Sequence, residues 1–217
     1  FTQHQRSDLP IGLFLSGGVD STILPGLMRR YGMQDIHTFS LGFPDSSVGD
    51  ELDVATSLAT HFGTHHRVIT PGADDMLSRL PQVVWAADDL MRDPASLPTL
   101  LLAEEASQSM KVVFSGEGGD ESFAGYGRYR TGAVERLFKS IAFPGTGGFR
   151  SRGDLRGGAA RQLLGDKLTQ IGRAWRGELI ESWRSYPSAW TPLQKMQALD
   201  LQHALPDNLL VKADRML

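Results

Sequence analysis

The sequence predicts an α/β fold: a parallel, twisted sheet covered by helices, followed by an all-helical C-terminal part. Three observations carry this expectation. Short apolar runs without polar alternation, among them Ile11 to Leu15 and Lys111 to Phe114, read as strands buried on both faces. These runs alternate with segments whose apolar residues recur at helical spacing, the pattern that builds parallel sheets. Past residue 143 the strand-like runs cease, and a Gly-rich stretch gives way to helical periodicity. The expected organisation is therefore an α/β core over 1–142, a flexible Gly-rich linker over 143–158 and a helical extension over 159–217.

Pro10 to Leu15 forms the first expected strand. Ser21 to Tyr31 follows as a helix, with Ile23, Leu24, Leu27, Met28 and Tyr31 on one face. Arg29 and Arg30 suit the negative end of its dipole, and Gly32 its stop. Pro25 predicts a local distortion in that helix. Ile36 to Phe43 reads as the second strand. Asp50 and Glu51 open a helix carrying Val54, Leu58 and Phe62, which closes near Gly63. His65 to Thr70 is the third strand. Asp74 to Ala87 is helical, with Pro81 expected to split it. Asp88, Asp89 and Asp93 read as a solvated turn. Thr99 to Ser109 is a helix, Lys111 to Phe114 the fourth strand, and Ser122 to Lys139 a further helix. Residues 159–185 are helical, and Thr191-Pro192 supplies an N-cap and a first-turn proline. Leu205-Pro206-Asp207 is expected to interrupt that helix before another begins at Leu209.

Composition narrows the function. The 217 residues are 41% hydrophobic and 22% charged, as expected of a soluble globular chain. A net charge of −3 supplies no basic field for nucleic acid. The absence of cysteine excludes disulfides, zinc–thiolate sites and a cysteine nucleophile within these residues, and fits a cytoplasmic setting. No apolar run reaches membrane-spanning length, and no signal peptide is visible. The sequence lacks an initiating methionine and is expected to be a fragment.

The chemistry concentrates where the first strand ends, at Ser16-Gly17-Gly18-Val19-Asp20-Ser21. Glycines allow a tight turn and bare N–H groups, and the following helix N-terminus adds partial positive charge. Two hydroxyls complete a cradle suited to phosphate or pyrophosphate. Asp20 would repel an anion directly, so a bridging Mg²⁺ is the natural use for it. The stretch is neither a P-loop, which needs a Lys, nor the G-x-G-x-x-G dinucleotide pattern. A second corner, Ser115-Gly116-Glu117-Gly118-Gly119-Asp120-Glu121, follows the fourth strand. In a parallel sheet both corners reach the same edge, where ligands bind. Asp20 and Asp120 could then hold Mg²⁺ between them, and Glu117 could reach a reacting centre. His61, His65 and His66 are too loosely arranged for a metal site. Trp175, Trp183 and Trp190 are assigned to packing, and Arg128 and Arg130 to a helix surface. Lys212, Asp214 and Arg215 have no assigned role.

Leu15-Ser-Gly-Gly-Val-Asp-Ser21 resembles the pyrophosphate loop of N-type ATP pyrophosphatases, the adenine nucleotide alpha-hydrolase-like fold. Ser115 to Glu121, Phe123-Ala-Gly-Tyr126, Arg128-Tyr129, Leu205-Pro-Asp207 and Lys212-Ala-Asp-Arg-Met216 resemble glutamine-dependent asparagine synthetases. The resemblance implies that aspartate's β-carboxylate attacks the α-phosphate of ATP, giving β-aspartyl-AMP and pyrophosphate, and that ammonia then displaces AMP. It implies ATP and Mg²⁺ as cofactors. By the same resemblance Leu15 and Leu41 contact adenine and ribose, and Ser115 and Gly116 line the ATP site. Ser16, Gly17, Gly18, Asp20 and Ser21 hold pyrophosphate, Asp20 and Asp120 bind Mg²⁺, and Glu117 supports adenylate formation. The family's glutaminase half, with its catalytic cysteine, precedes this region in a full-length parent. The family also continues past Asp-Arg-Met with segments this sequence does not contain. A related amide-forming enzyme of the β-lactam synthetase or lasso-peptide cyclase type, or an inactive nucleotide-binding fragment, are the alternatives. Neither nucleic acid nor membrane is an expected partner, and a homodimer is left open.

Overall fold

The four short strands of the computed structural model fall within the four segments expected to be strands. It describes residues 9–43, 50–88, 93–130, 132–142, 145–146 and 157–217. The strands are β1 (Ile11–Phe14), β2 (His37–Leu41), β3 (His65–Ile69) and β4 (Val112–Phe114). They pair in the order β3-β2-β1-β4, every pair parallel. Central β1 is in register with β2 through Gly12↔His37 to Phe14↔Phe39, and with β4 through Ile11↔Val112 to Leu13↔Phe114. Helices cover both faces of such a sheet, which is why β1 reads as a continuous apolar run. Ile11 and Leu13 are buried with Met28 and Ile36. Edge strand β3 is more exposed, with Val68 open to solvent.

The chain forms two compact units. One comprises Phe1–Glu117 with Asn208–Leu217, the other Gly118–Asp207. In the first, the strands are joined through α1 (Val19–Arg30), α2 (Asp50–Phe62), α3 (Ala73–Ala87) and α4 (Ser96–Ser107). α1 runs through Pro25, whose ring is fully buried, and α3 runs through Pro81, so the expected split of α3 does not occur. α4 starts three residues earlier than the spacing suggests, because Asp93 organises its entry. The Asp93 carbonyl accepts from Ser96 N at 3.1 Å and Ser96 Oγ at 2.8 Å.

The second unit is helical: α5 (Gly119–Phe123), a 3₁₀ turn (Gly127–Arg130), α6 (Ala133–Ala142), α7 (Gly157–Ser185, broken at Gly165) and α8 (Pro192–Leu199). The single helix expected over Ser122 to Lys139 is corrected here. It stops at Ala124, which takes a left-handed φ of 58°, and turns at Gly125. A Cβ on Gly125 would run into the Asp120 carboxylate, so a side chain there would have to displace it. Tyr129, Leu179, Met196 and Leu199 form this unit's core, with Trp183 against them. Thr191 caps α8 as expected: its Oγ1 accepts from Gln194 N at 3.3 Å, and its own amide donates to Gln194 Oε1 at 2.8 Å.

The expected interruption at Leu205-Pro206-Asp207 is also corrected. Asp200–Leu210 continues as a π-helical segment between α8 and α9 (Val211–Met216). Proline clashes with the carbonyl four residues back in an α-helix, and the wider π turn relieves that clash. α9 returns to the first unit, where Met216 is buried with Val83, Ala87, Leu97, Leu100 and Leu101. Pro144, the glycines at 147, 148 and 153, and Asp89 lie outside the described residues.

Candidate active site

The order β3-β2-β1-β4 contains a reversal. From β1 the chain steps outward to β2 and β3, then returns to lay β4 on the other side of β1. Connections diverge at such a point and open a crevice beyond the carboxyl ends of the two strands. Ser16 follows β1 and Ser115 follows β4, so the Ser-Gly corners expected to meet do lie side by side at this edge.

The first corner is stiffened by its own hydroxyls. Ser16 N donates to Ser21 Oγ at 3.2 Å, and the Ser16 and Ser21 hydroxyls are 3.0 Å apart. Ser21 Oγ donates to the Gly18 carbonyl at 3.0 Å, so Ser16 supplies the proton between the two hydroxyls. Gly18 N donates back to Ser16 Oγ at 3.4 Å. Gly17 takes a φ of +79°, and a Cβ there would lie 3.0 Å from the Glu51 carbonyl and 3.2 Å from Val54. Glycine is therefore demanded twice, by conformation and by space. Gly18 caps α1 without a side-chain hydrogen bond. The first-turn amides of this helix thus present donors and the positive end of its dipole at the crevice.

The second corner touches the first through Gly116. A Cβ there would stand 3.1 Å from Ser21 N and 3.4 Å from both the carbonyl carbon and the Cβ of Asp20. Asp20 is half-buried in the first turn of α1. Beyond Gly116, Glu117 Oε1 lies 2.9 Å from Lys212 Nζ, which is also 3.4 Å from Asp93 Oδ2. Lys212 is buried and Asp93 nearly so. Asp93, read from sequence as a solvated turn, is instead the partner of a buried cation. Lys212, left without a role by the sequence, sits against the residue assigned to the chemistry. Its placement depends on the long chain path back through α9, which no local pattern encodes.

Leu15 is buried against Ala55 and Ala59. Its amide donates to the Phe39 carbonyl at 2.9 Å and its carbonyl accepts from Ser40 Oγ. Leu41 ends β2, half-buried against the cluster of α3, α4 and α9. Both are apolar residues at the carboxyl edge of neighbouring strands.

In the second unit Asp120 is half-buried in α5, over Gly125. Glu121 beside it is buried and accepts from Tyr126 Oη at 2.6 Å, while Gln197 Nε2 donates to the Glu121 and Ser122 carbonyls at 3.1 and 2.9 Å. Burial and the Glu121 carboxylate together push the Tyr126 hydroxyl well above the usual tyrosine range. Arg128 is not a bare surface cation. It lies 4.1 Å above the Tyr126 ring and donates to Asp200 Oδ2 through Nε at 3.1 Å and Nη2 at 2.7 Å, an oxygen that also accepts from Tyr129 Oη. Burial raises the Asp200 carboxyl, against the pull of Tyr129 and Arg128. This network locks the corner's trailing segment to the start of the π-helical turn.

No group of three or more metal-binding side chains occurs among the described residues. His66 Nδ1 bonds Thr38 Oγ1 at 2.9 Å, and His65 and His37 share Asp35, so these three histidines have other partners. No helix among the described residues is long and apolar enough to cross a membrane.

The sequence model of the asparagine synthase family matches residues 1–217. A putative glutamine-hydrolyzing asparagine synthetase of Mycobacterium tuberculosis is 33% identical over 98% of this chain and 36% of its own length. Asparagine synthetase 1 of Bacillus subtilis, also named glutamine-hydrolyzing, is 30% identical over 98% of this chain and 38% of its own. The chain thus spans about a third of the length of these curated relatives. Among solved structures, an NH3-dependent NAD synthetase from Campylobacter jejuni aligns with 94% of this chain and 89% of its own at 14% identity, with a TM-score of 0.43.

Proposed function

The chain belongs to the asparagine synthase family, and from that premise we propose that it is the ATP-using part of an amide-forming ligase. The observation that carries this reading is the contact between the two corners: Gly116 against Ser21 N and Asp20, at the topological switch point. A nucleotide's phosphates laid in that crevice meet the amides of the first turn of α1 and the hydroxyl-braced loop before it. In the proposed reaction a β-carboxylate oxygen of aspartate attacks the α-phosphorus of ATP. The bond from that phosphorus to the bridging oxygen breaks, and pyrophosphate leaves with its electron pair. Ammonia then attacks the acyl carbon of β-aspartyl-AMP, AMP departs, and the amide loses a proton to give asparagine.

Each group has a task in this scheme. Ser16, Gly17, Gly18, Asp20 and Ser21 receive pyrophosphate, on which charge develops as it leaves. Leu15, Leu41, Ser115 and Gly116 border adenosine. Glu117 supports formation of the adenylate from the corner after β4. Mg²⁺ is a fitting companion, because the donors available are hard carboxylate oxygens without histidine or thiolate among them. A cation held by one or two carboxylates plus substrate phosphates is the usual magnesium arrangement. Asp20 and Asp120 are the carboxylates assigned to it, and it would draw charge off the phosphates. Ammonia would come from the glutaminase portion that the relatives' names imply.

Exchange of labelled pyrophosphate into ATP tests the proposal in the full-length protein. Exchange that depends on aspartate supports it, and loss of magnesium-dependent ATP binding in Asp20→Ala supports the metal assignment. Exchange driven by a different carboxylic acid and not by aspartate would refute the acceptor. ATP binding with no exchange for any acid would refute the adenylation.

A further inference from the structure

Lys212 is 4% exposed. A buried ammonium is costly unless it is paired, and this one meets two carboxylates, Glu117 at 2.9 Å and Asp93 at 3.4 Å. Three segments distant in sequence therefore converge on one charge: the corner after β4, the entry to α4, and α9.

The three members are not equally free. Lys212 is held by Met216, one helical turn further along α9 and 3% exposed in the core. Asp93 is held by its other oxygen, which accepts the Ala95 amide at 3.0 Å, and its side chain is 16% exposed. Glu117 stands in a loop, and its side chain is 26% exposed. Two anchored groups thus face one that could otherwise swing into solvent. That asymmetry gives the direction of control, from the helix to the loop carboxylate.

Resting on the reading that Glu117 serves the adenylation step, we propose that Lys212 is a positioning residue for Glu117, with Asp93 as its strut. The ammonium fixes one carboxylate oxygen of Glu117 and so sets how far the other reaches into the crevice. It does not touch substrate in this assignment and acts through Glu117 alone. A group displaced by about 1 Å at a reacting centre costs on the order of a hundredfold in rate, so the effect belongs in kcat.

The test is a double-mutant cycle on aspartate-dependent ATP–pyrophosphate exchange in the full-length protein, comparing wild type, K212M, E117Q and the double variant. K212M is expected to lower kcat about a hundredfold. KM for ATP is expected to stay within about threefold, because uniform nucleotide binding is untouched. Added to E117Q, K212M is expected to cost less than about threefold more, since nothing remains for it to position. A loss that multiplies in the double variant, or wild-type kcat in K212M, overturns the proposal. Should K212M lose its cooperative melt, Lys212→Gln, which keeps a hydrogen-bond donor, carries the same cycle. If E117Q exchanges at the wild-type rate, the reading of the site and this proposal fall together. If E117Q is impaired and K212M is not, the positioning role alone falls.

Discussion

Replacing Gly116 by alanine, beside a control at Gly12, separates the geometry of the site from the stability of the fold. At residue 116 the new methyl group would stand 3.1 Å from Ser21 N and 3.4 Å from two atoms of Asp20. Ordinary contact starts near 3.4 Å, so something must give by a few tenths of an ångström. The strands beneath cannot yield easily, because β1 and β4 are locked in register from Ile11↔Val112 to Leu13↔Phe114. The strain therefore falls on the two corners and pushes Asp20 and Ser21 away from Ser115. At Gly12 the same substitution also meets atoms at 3.1 Å, Met110 Cγ and Phe39 Cε2, but these are side chains of the core cluster that includes Ala106. Overpacking of this kind costs about 1–3 kcal/mol at either position. Calorimetry should then show Tm lower by roughly 2–4 °C per kcal/mol for a chain this size. Pyrophosphate exchange should divide the pair: G12A keeps kcat within about threefold of wild type, while G116A loses about a hundredfold through misplacement of the phosphate cradle. Equal losses in both variants, scaling with Tm, would show that the contact between the corners matters only for folding. Wild-type exchange in G116A would remove the crevice from the mechanism.

Three further perturbations probe the supporting structure. Arg128→Met leaves the Asp200 carboxylate, 2% exposed, with Tyr129 as its remaining donor in the trio described, and should cost about 3 kcal/mol in urea unfolding. An unchanged midpoint would contradict the network. Gly125→Ala places a methyl group where the Asp120 carboxylate sits and so displaces it, and should raise the Mg²⁺ needed for half-maximal exchange by about tenfold. An unaltered Mg²⁺ requirement would detach Asp120 from the metal. Burial holds the His66 imidazole below its ordinary 6.5, partly offset by its bond to Thr38, so the unfolded chain takes up the proton first. Stability is therefore full above about pH 6.5 and falls as the pH drops below it, and H66Q should flatten that slope between pH 7.5 and 5.5. A wild-type Tm that does not fall over this range would argue against a lowered His66 imidazole in the folded chain.

What the sequence made legible was whatever local chemistry dictates. The strand runs, the glycine-rich corners and the Thr191-Pro192 cap could be read because a few adjacent residues fix each of them. Parallel pairing then followed from strand–helix alternation, and with it the shared edge of Ser16 and Ser115. The misreadings have a common cause. Pro81 and Pro206 look like breakers, yet α3 runs on through the exposed Pro81 and a π-helical segment carries Pro206. The helix drawn from Ser122 to Lys139 ignored the backbone needs of Ala124 and Gly125, where the Asp120 carboxylate occupies the space a side chain would take. Asp93 and Lys212 are 119 positions apart, and their pairing exists only because α9 folds back onto α3 and α4. A buried lysine flanked by apolar residues leaves no periodic signature, so the cation beside Glu117 was invisible until the chain was folded.

The claim at the centre is that a carboxylate attacks the α-phosphorus of ATP while the corner at Ser16 to Ser21 takes the departing pyrophosphate. Aspartate carrying ¹⁸O in its β-carboxylate, turned over by the full-length protein with ATP and ammonia, reads this out by mass spectrometry of the products. The account predicts AMP bearing one ¹⁸O atom, with unlabelled pyrophosphate. Label in inorganic phosphate with ADP as the co-product, which is the outcome of attack at the γ-phosphorus, would contradict it.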